Sequence, residues 1–479
     1  MSQVYDIAIP SRKEISKVLK LIAAVADSYL NSLDKLPVRA QEVHKLLAEF
    51  DSPLPDEGSG AIQALEELIR KGLDGAVNSA GPRFFHFITG GSTPAALGAD
   101  WLTTTLDQMA YAWVSSPLAT KLELISLSWL KDLFGLPANW GGIITTGTTM
   151  ANFVSLAAAR QWWGEKHGID VAEQGLMSLP KVPVFSSGII HPSTVKALGM
   201  IGVGRSSVQK FIQDSTGSLD IHALEYALKN LNGLPSIIIA TAGEPNAGAF
   251  DPIAQLVELA QNYNAWLHVD GAFGLFARLS SNNAGLIAGV EHAHSVTVDG
   301  HKWLNVPYDC GFAFLSDAFL LGRVFTHSAE YLPSPTDREP VMGALGPEMS
   351  RRARALPVWA TLRAYGRKGI TEMVERHMDL AKYLAKLVDD APDFERLADV
   401  PLNVVCFRYN PGELNEDKLN KINQAIGEAI IEDGRIYMGT TKYCNKVAFR
   451  PAIVNWRTRH EDVKLIIDIV REISKTLCA

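Results

Sequence analysis

Two polar residues come at the ends of short apolar segments that are typical of buried strands. Lys302 closes the polar turn that follows residues 295–298, and Asp270 closes the apolar segment 265–270. A lysine at the end of a buried strand loses hydration, which lowers its pKa and makes the neutral amine available to attack a carbonyl group. Alternatively, the ammonium group of Lys302 reaches water from the strand end and has no chemical role.

The second residue, Asp270, favours the chemical alternative. Ligands of parallel α/β sheets bind beyond the carboxyl ends of the strands, so Asp270 and Lys302 are expected to face one ligand. Pyridoxal phosphate (PLP) requires such a pair, because a lysine holds its aldehyde and a carboxylate keeps the pyridine nitrogen protonated. The two residues therefore predict a PLP site.

The strings around these residues are HVDGAFG (residues 268–274) and DGHKWLN (residues 299–305). Together they resemble the PLP-dependent group II amino acid decarboxylases, and the resemblance extends from about Pro82 to the C-terminus. It implies an α/β fold of the aspartate-aminotransferase type (fold type I), PLP as the cofactor, and a homodimer with shared active sites. It also implies that Lys302 is the attachment lysine, and that Ala272, Asp299 and His301 contact the cofactor.

A phosphate site is predicted at residues 141–152, which run from a strand through a Gly/Thr turn into a helix. A helix N-terminus offers unpaired backbone N–H groups, which bind anions. This pattern alone is a weak signal, but beside Lys302 and Asp270 it predicts a phosphate cradle. Gly147, Thr148 and Thr149 are the expected contacts.

The resemblance assigns further residues to the site. His191, which precedes a predicted helix, is expected to stack on the pyridine ring, although it could simply cap that helix. Asn246 lies in a loop that departs from the threonine-rich loop of the family, and it is the candidate for a polar contact to the cofactor. Phe84 and Arg83 are expected to face the substrate, with core packing as the alternative. Tyr111 is expected to reach across the dimer into the neighbouring site.

The residue that donates a proton to the carbanion has two candidates in this sequence. Decarboxylases of this family carry a tyrosine in a mobile loop, and residues 330–340 have the polar, proline-rich composition of such a loop. Counting back from the arginines at 351–354 places the family's tyrosine near Met342. Tyr331 and His191 are therefore the remaining candidate acids, and a carbanion without a positioned acid is expected to give aldehyde or transamination side products. The arginines themselves form either a solvated face or an anchor for the loop.

The bulk properties narrow the class of protein. The 479 residues are 47% hydrophobic and 20% charged, which is typical of a soluble globular protein, and the net charge of −7 argues against a nucleic-acid or anionic-membrane partner. Neither a signal peptide nor a membrane span is predicted, so we expect a cytoplasmic protein. The four cysteines form no CxxC pair. His292 and His294 are predicted to be surface residues, and no metal site is expected.

The surrounding elements alternate between strand and helix, which predicts a mostly parallel sheet covered by helices on both faces. Three parts are expected: an N-terminal helical segment (1–92) that serves as a dimer arm or packs on its own chain, a large PLP-binding domain (93–366), and a small α+β domain (367–479). Outside the sheet, the main predictions are listed here: helices at 61–76, 117–134, 348–365, 369–389 and 460–477, and small-domain strands near 402–408, 434–438 and 446–450.

The expected reaction is the PLP-dependent decarboxylation of an L-amino acid to the amine and CO2, with an aromatic amino acid as the leading substrate. An aldehyde synthase, a carbon–carbon lyase and an aminotransferase would use the same lysine and aspartate. A non-catalytic regulator built on this fold is the alternative from a different class.

Overall fold

A computed structural model describes residues 12–327 and 340–478. The α-helices of the described residues are α1 (Arg12–Ser32), α2 (Val43–Leu47), α3 (Ala61–Gly72), α4 (Pro94–Leu106), α5 (Pro117–Phe134), α6 (Thr148–Glu165), α7 (Val171–Gln174), α8 (Pro192–Met200), α9 (Ile221–Asn230), α10 (Ile253–Asn262), α11 (Leu320–Phe325), α12 (Ala355–Asp389), α13 (Glu416–Asp433) and α14 (His460–Cys478). The strands are β1 (Gly141–Thr145), β2 (Val184–Ser186), β3 (Val208–Lys210), β4 (Ser236–Thr241), β5 (Ala265–Asp270), β6 (Ser295–Asp299), β7 (Gly311–Leu315), β8 (Phe394–Arg396), β9 (Phe407–Tyr409), β10 (Thr440–Tyr443) and β11 (Lys446–Phe449).

The large domain is built on a seven-stranded sheet in the order β1-β7-β6-β5-β4-β2-β3. Strands β3, β2, β4, β5 and β6 pair in parallel, and β7 runs antiparallel between β6 and β1. Every residue of β4, β5 and β6 is buried, because helices cover both faces of the sheet. The predicted fold class is confirmed.

The two faces of the sheet belong to separate apolar clusters. Ile238 and Leu267 pack in one cluster, and Ile237 and Trp266 pack in the other. Successive side chains of a strand point to opposite faces, so the continuous apolar composition of these strands is what two covered faces require.

Strand pairing brings four strand ends to one edge of the sheet. Thr241 of β4 is paired with Asp270 of β5, while Thr145 of β1 and Asp299 of β6 both lie opposite Gly311 of β7. Polar residues that are far apart in the chain therefore end beside each other. This edge is the predicted position of a ligand.

The small domain contains the antiparallel sheet β10-β11-β9-β8. It is joined to the large domain by α12, whose helical geometry breaks at Gly366 (φ 59°, ψ −176°), at the predicted domain boundary. Three element predictions are wrong. The strand predicted near 402–408 begins only at Phe407. The helix predicted to begin at 348 begins at Ala355, and residues 434–438 form no strand, because Gly434 adopts a left-handed conformation and Tyr437 makes only an isolated bridge with Phe84.

The late start of α12 leaves Arg351 outside the helix and inside the protein. Its guanidinium forms two hydrogen bonds with Glu123, with Nη2 to Oε1 at 2.6 Å and Nη1 to Oε2 at 3.0 Å. It also donates to the carbonyl oxygens of Ala110 and Ile144. Both charged groups are buried, so Arg351 is an interior anchor between α5 and β1 rather than part of a solvated face.

Within the part of the chain that the structure describes, no helix combines the length and apolar character needed to cross a membrane.

Candidate active site

A cavity of about 280 Å³ lies at the edge of the sheet where these strands end. The structure brings together nine of the residues that the sequence assigned to the cofactor. They are Gly147, Thr148, Thr149, His191, Asp270, Ala272, Asp299, His301 and Lys302. Strand ends, a helix N-terminus and a helix cap supply these residues, so their positions are fixed by regular secondary structure.

Lys302 lies three residues beyond the end of β6, and its surroundings include a carboxylate as well as an aromatic ring. Its Nζ lies 3.1 Å from Oδ2 of Asp299 and 5.7 Å from the centre of the Phe273 ring. Oδ1 of Asp299 accepts a hydrogen bond of 2.6 Å from the backbone N–H of Thr148. Burial alone would raise the pKa of Asp299, but the nearby Lys302 and His301 and this set of hydrogen bonds bring the pKa below its ordinary value. Asp299 is therefore an anionic partner for the Lys302 amine.

Asp270 ends β5 with its two carboxylate oxygens in different environments. Oδ2 accepts hydrogen bonds from Nδ2 of Asn152 at 2.8 Å and from the hydroxyl of Thr194 at 2.7 Å. Oδ1 accepts one bond, of 3.2 Å, from the backbone N–H of Ala272. Oδ1 is consequently the oxygen with capacity left for a protonated ring nitrogen in the cavity.

The Gly/Thr turn has the geometry of an anion site. Gly147 has φ 148°, and a Cβ at this position would lie 2.9 Å from Cε1 of His301. Helix α6 begins at Thr148, whose buried hydroxyl has no hydrogen-bond partner among the described residues. An unpartnered hydroxyl at the N-terminus of an 18-residue helix fits the phosphate group of PLP.

His191 both caps a helix and lines the cavity, so the two alternatives for it are compatible. Its Nδ1 accepts from the backbone N–H of Ser193 at 3.2 Å and lies 2.6 Å from the hydroxyl of the same residue. Burial lowers the pKa of His191, and the charge of Lys302 acts in the same direction, against the opposing effect of Asp270. The ring is therefore neutral, with its proton on Nε2.

Four predicted residues lie outside the cavity wall because other partners hold them. Oδ1 of Asn246 accepts a hydrogen bond of 2.8 Å from the hydroxyl of Thr441, and the Arg83 guanidinium donates to the carbonyl oxygens of Leu36 (2.6 Å) and Asp34 (3.3 Å). Phe84 is buried and stacks on Tyr437, with ring centres 4.9 Å apart. Tyr111 is buried beside Ala112 and Val341 of its own chain. The contacts predicted for Asn246, Arg83 and Phe84 are thus replaced within this chain.

Phe87 and Ile88 occupy the cavity wall that was predicted for Phe84. Both have positive φ angles, 55° and 59°, which is an unusual conformation for a β-branched residue such as Ile88. Gly90, two residues later, lies so close to the catalytic turn that a Cβ there would overlap the carbonyl oxygen of Lys302. The pair Gly90-Gly91 was the available sequence signal for this close approach.

The position counted back for the family's loop tyrosine lies in the protein interior. Met342 is 1% exposed and packs in the main apolar cluster, so counting back from the arginines led to a core residue and not to a loop residue. Tyr331 and most of the predicted loop lie outside the described residues.

Tyr308 is a site residue that sequence reasoning missed. Its ring stacks on His301, with centres 4.2 Å apart, and its hydroxyl lies 3.2 Å from the hydroxyl of Thr89. Ser193, Thr241 and Gly243 also line the cavity without having been predicted. His294, predicted to be a surface residue, is half-buried: it stacks on Trp266, and its Nδ1 accepts from the N–H of Leu267.

Comparisons with known proteins agree with this geometry. The family model described as "Pyridoxal-dependent decarboxylase conserved domain" matches residues 44–410. The chain is 28% identical to the aromatic-L-amino-acid decarboxylase of Bacillus atrophaeus over 455 residues, which cover 93% of this chain and 92% of the relative. It is also 28% identical to a phenylacetaldehyde synthase of Arabidopsis thaliana, with 94% of each chain covered.

Among solved structures, the fold is similar to that of Oryza sativa TDC, which was crystallised with PLP and tryptamine. The TM-score is 0.89 at 23% identity, and the match covers 98% of this chain and 99% of the other. At this identity the similarity shows the fold.

Proposed function

Because the chain belongs to the pyridoxal-dependent decarboxylase family, we propose that its substrate is an aromatic L-amino acid, which it converts to the amine and CO2. The observation that carries the proposal is the cavity in which Lys302, Asp270 and the Thr148 end of α6 meet, beside an apolar wall of Phe87 and Ile88. The names of the curated relatives support an aromatic side chain.

Each residue of the cavity has a separate role in the proposed reaction. When bound, PLP supplies an aldehyde that joins amines covalently and a ring that accepts the electron pair left by departing CO2. Lys302 is the group that would attach the aldehyde, and Asp299 holds its amine in place beforehand. Oδ1 of Asp270 would keep a proton on the ring nitrogen, and Thr148 would bind the phosphate group. His191 would lie against the ring and carry a transferable proton on Nε2.

The direct test is incubation of the purified, PLP-loaded protein with individual L-amino acids. CO2, amine, keto acid and aldehyde are scored separately, together with oxygen consumption. We expect CO2 and amine in equal amounts from an aromatic substrate. Keto acid without CO2 would identify an aminotransferase, and CO2 from only non-aromatic substrates would reject the proposed substrate class.

An aldehyde synthase is the second candidate, because a phenylacetaldehyde synthase matches this chain with the same identity as the first decarboxylase. The two reactions share the loss of CO2 and differ in what happens to the carbanion, which is either protonated or oxidised. Aldehyde formation that consumes oxygen in proportion would favour this candidate.

We also propose that the protein works as a homodimer in the cytoplasm. Large apolar side chains are exposed on α1, α4 and α5, and exposed apolar surface of this kind favours a protein partner. They are Ile15, Leu19, Trp101, Leu102, Leu106, Leu118, Leu124 and Trp129. The cysteines at 310, 406 and 444 are unpaired in the described residues, which supports a reducing compartment.

The shared active site can be tested by subunit mixing. If Tyr111 serves the partner's cavity, a Lys302→Ala chain mixed with a Tyr111→Ala chain restores one sound site in each heterodimer. A one-to-one mixture should then recover roughly a quarter of wild-type activity, since half of the dimers are mixed and each has one working site. Both parent homodimers must be impaired, and subunit exchange is verified with tagged chains. Verified exchange without recovery would contradict a shared site.

A further inference from the structure

A series of fully buried polar side chains lies behind Asp270. Asn152 of α6 is the central member, and its amide nitrogen donates to Oδ2 of Asp270 at 2.8 Å and to the hydroxyl of Thr194 at 2.9 Å. Its carbonyl oxygen accepts from Nε2 of His268 and from the hydroxyl of Thr297, each at 2.9 Å. Asn152 and His268 are absent from the described cavity wall, so neither has a role in the reaction as derived so far.

The direction of each hydrogen bond follows from one indole. Trp266 Nε1 can only donate, and it donates to the Ser295 hydroxyl at 3.0 Å. The Ser295 hydroxyl is fully buried, and Nδ1 of His268, 2.8 Å away, is the only acceptor for its proton among the described residues, so His268 carries its proton on Nε2 and donates it to Asn152. Burial lowers the pKa of His268 to about 4, although the charge of Asp270 opposes the shift. His268 is therefore a neutral donor near neutral pH.

These donors determine the orientation of the Asn152 amide. The opposite orientation would place the carbonyl oxygen against the Asp270 carboxylate and the NH2 group against two donors, from His268 and Thr297. In a fully buried site, facing two acceptors or two donors against each other is costly. The amide nitrogen is thus held facing Asp270.

We propose that Asn152, oriented by His268, is a positioning residue that holds the Asp270 carboxylate and turns its Oδ1 toward the cofactor ring. The hydrogen bonds from Asn152 and Thr194 occupy Oδ2, so that oxygen faces the interior of the protein. Oδ1 is then the oxygen that meets the ring nitrogen. Asn152 acts on the cofactor only through Asp270.

The inference rests on the cofactor and not on the identity of the substrate. Its test is therefore a binding measurement that stays informative even if the protein decarboxylates a non-aromatic amino acid. The full chain is stripped of cofactor and titrated with PLP and, separately, with the 1-deaza analogue, which lacks the ring nitrogen. Binding is followed by the quenching of tryptophan fluorescence.

Asn152→Leu keeps most of the side-chain volume and removes all four hydrogen bonds of the Asn152 amide. We expect it to weaken PLP binding about 10- to 100-fold, as for other residues that orient a ligand-binding group, and to change binding of the 1-deaza analogue by less than about threefold. The absorption spectrum of the bound PLP should also show that the ring nitrogen loses its proton at a lower pH than in the wild type. Equal weakening for both ligands would show that Asn152 has only a packing role and would overturn the proposal.

Ser155→Ala is the matched control, because Ser155 is buried one turn further along α6 and its hydroxyl has no partner among the described residues. It should leave both affinities unchanged. If Asn152→Leu does not fold, Asn152→Ala removes the same contacts with a smaller side chain, and the ratio of the two affinities is interpreted in the same way.

Discussion

Replacement of Lys302 by alanine is expected to abolish covalent attachment of the cofactor and to lower turnover at least about a thousandfold. Lys302 is the only amine of the described cavity wall. The phosphate site at Thr148 is untouched, so PLP should still bind non-covalently. The measurements are the visible absorbance of attached PLP, its retention during gel filtration, and kcat with the best aromatic substrate.

Two further measurements separate the chemistry of Lys302 from its ion pair. Alanine leaves the buried Asp299 without its nearest cation, which can destabilise the fold by about 3–5 kcal/mol. Lys302→Arg retains a cation beside Asp299 and cannot attach the aldehyde, so it should fold better and be equally inactive. Methylamine supplies the missing amine and should partly restore turnover to the alanine variant. Wild-type turnover in either variant would reject Lys302 as the attachment residue.

The predicted residues that line the cavity share a local cause. Asp270 ends one apolar segment and Lys302 closes the short turn after another, and strands of one parallel sheet place their carboxyl ends at one edge. Gly147 and Thr148 similarly stand where a strand gives way to a helix. In each case a short stretch of sequence determines both the element and the position of the polar side chain at its end.

The predicted residues that lie outside the cavity wall have partners far away in the chain. The position of Asn246 was assigned by resemblance, but its side chain bonds to Thr441, 195 residues later. Arg83 is similarly bonded to backbone oxygens near the N-terminal segment. The local sequence does not indicate such partners, because tertiary contacts determine whether a polar side chain faces the cavity or bonds to a distant part of the chain.

Backbone conformation accounts for the shift from Phe84 to Phe87 and Ile88. Two successive positive φ angles, at Phe87 and Ile88, turn the backbone. The strict alternation of side-chain directions in a regular strand therefore does not apply to this segment. Neither residue type favours this conformation, and the same segment passes close to the carbonyl oxygen of Lys302 at Gly90. Such backbone strain is typical of ligand-binding segments, and the conformational propensities of the residues do not predict it.

Asp270→Asn is expected to preserve the fold, to bind PLP more weakly than the wild type, and to lower kcat at saturating PLP about 10²- to 10⁴-fold, which corresponds to about 3–5 kcal/mol of transition-state stabilisation. The amide oxygen can accept the bonds from Asn152 and Thr194 that Oδ2 now accepts. The amide nitrogen then takes the place of Oδ1 and presents hydrogens to the ring nitrogen. A neutral amide cannot keep that nitrogen protonated, so the ring becomes a poorer acceptor for the electron pair left by CO2.

Asp251→Asn is the control, because Asp251 is also a buried aspartate close to the sheet edge, with Oδ2 bonded to the Ser187 hydroxyl at 3.0 Å and to the N–H of Thr241 at 2.8 Å. It is not part of the described cavity wall, and burial raises its pKa to about 6, so a neutral amide is well tolerated there. We expect kcat of this variant to stay within about threefold of wild type. The decisive comparison is kcat of the two variants at saturating PLP. An equal loss of kcat in both variants would show that Asp270, like Asp251, contributes only to the fold. Near-normal kcat in Asp270→Asn would show that Asp270 does not support the electron-accepting ring.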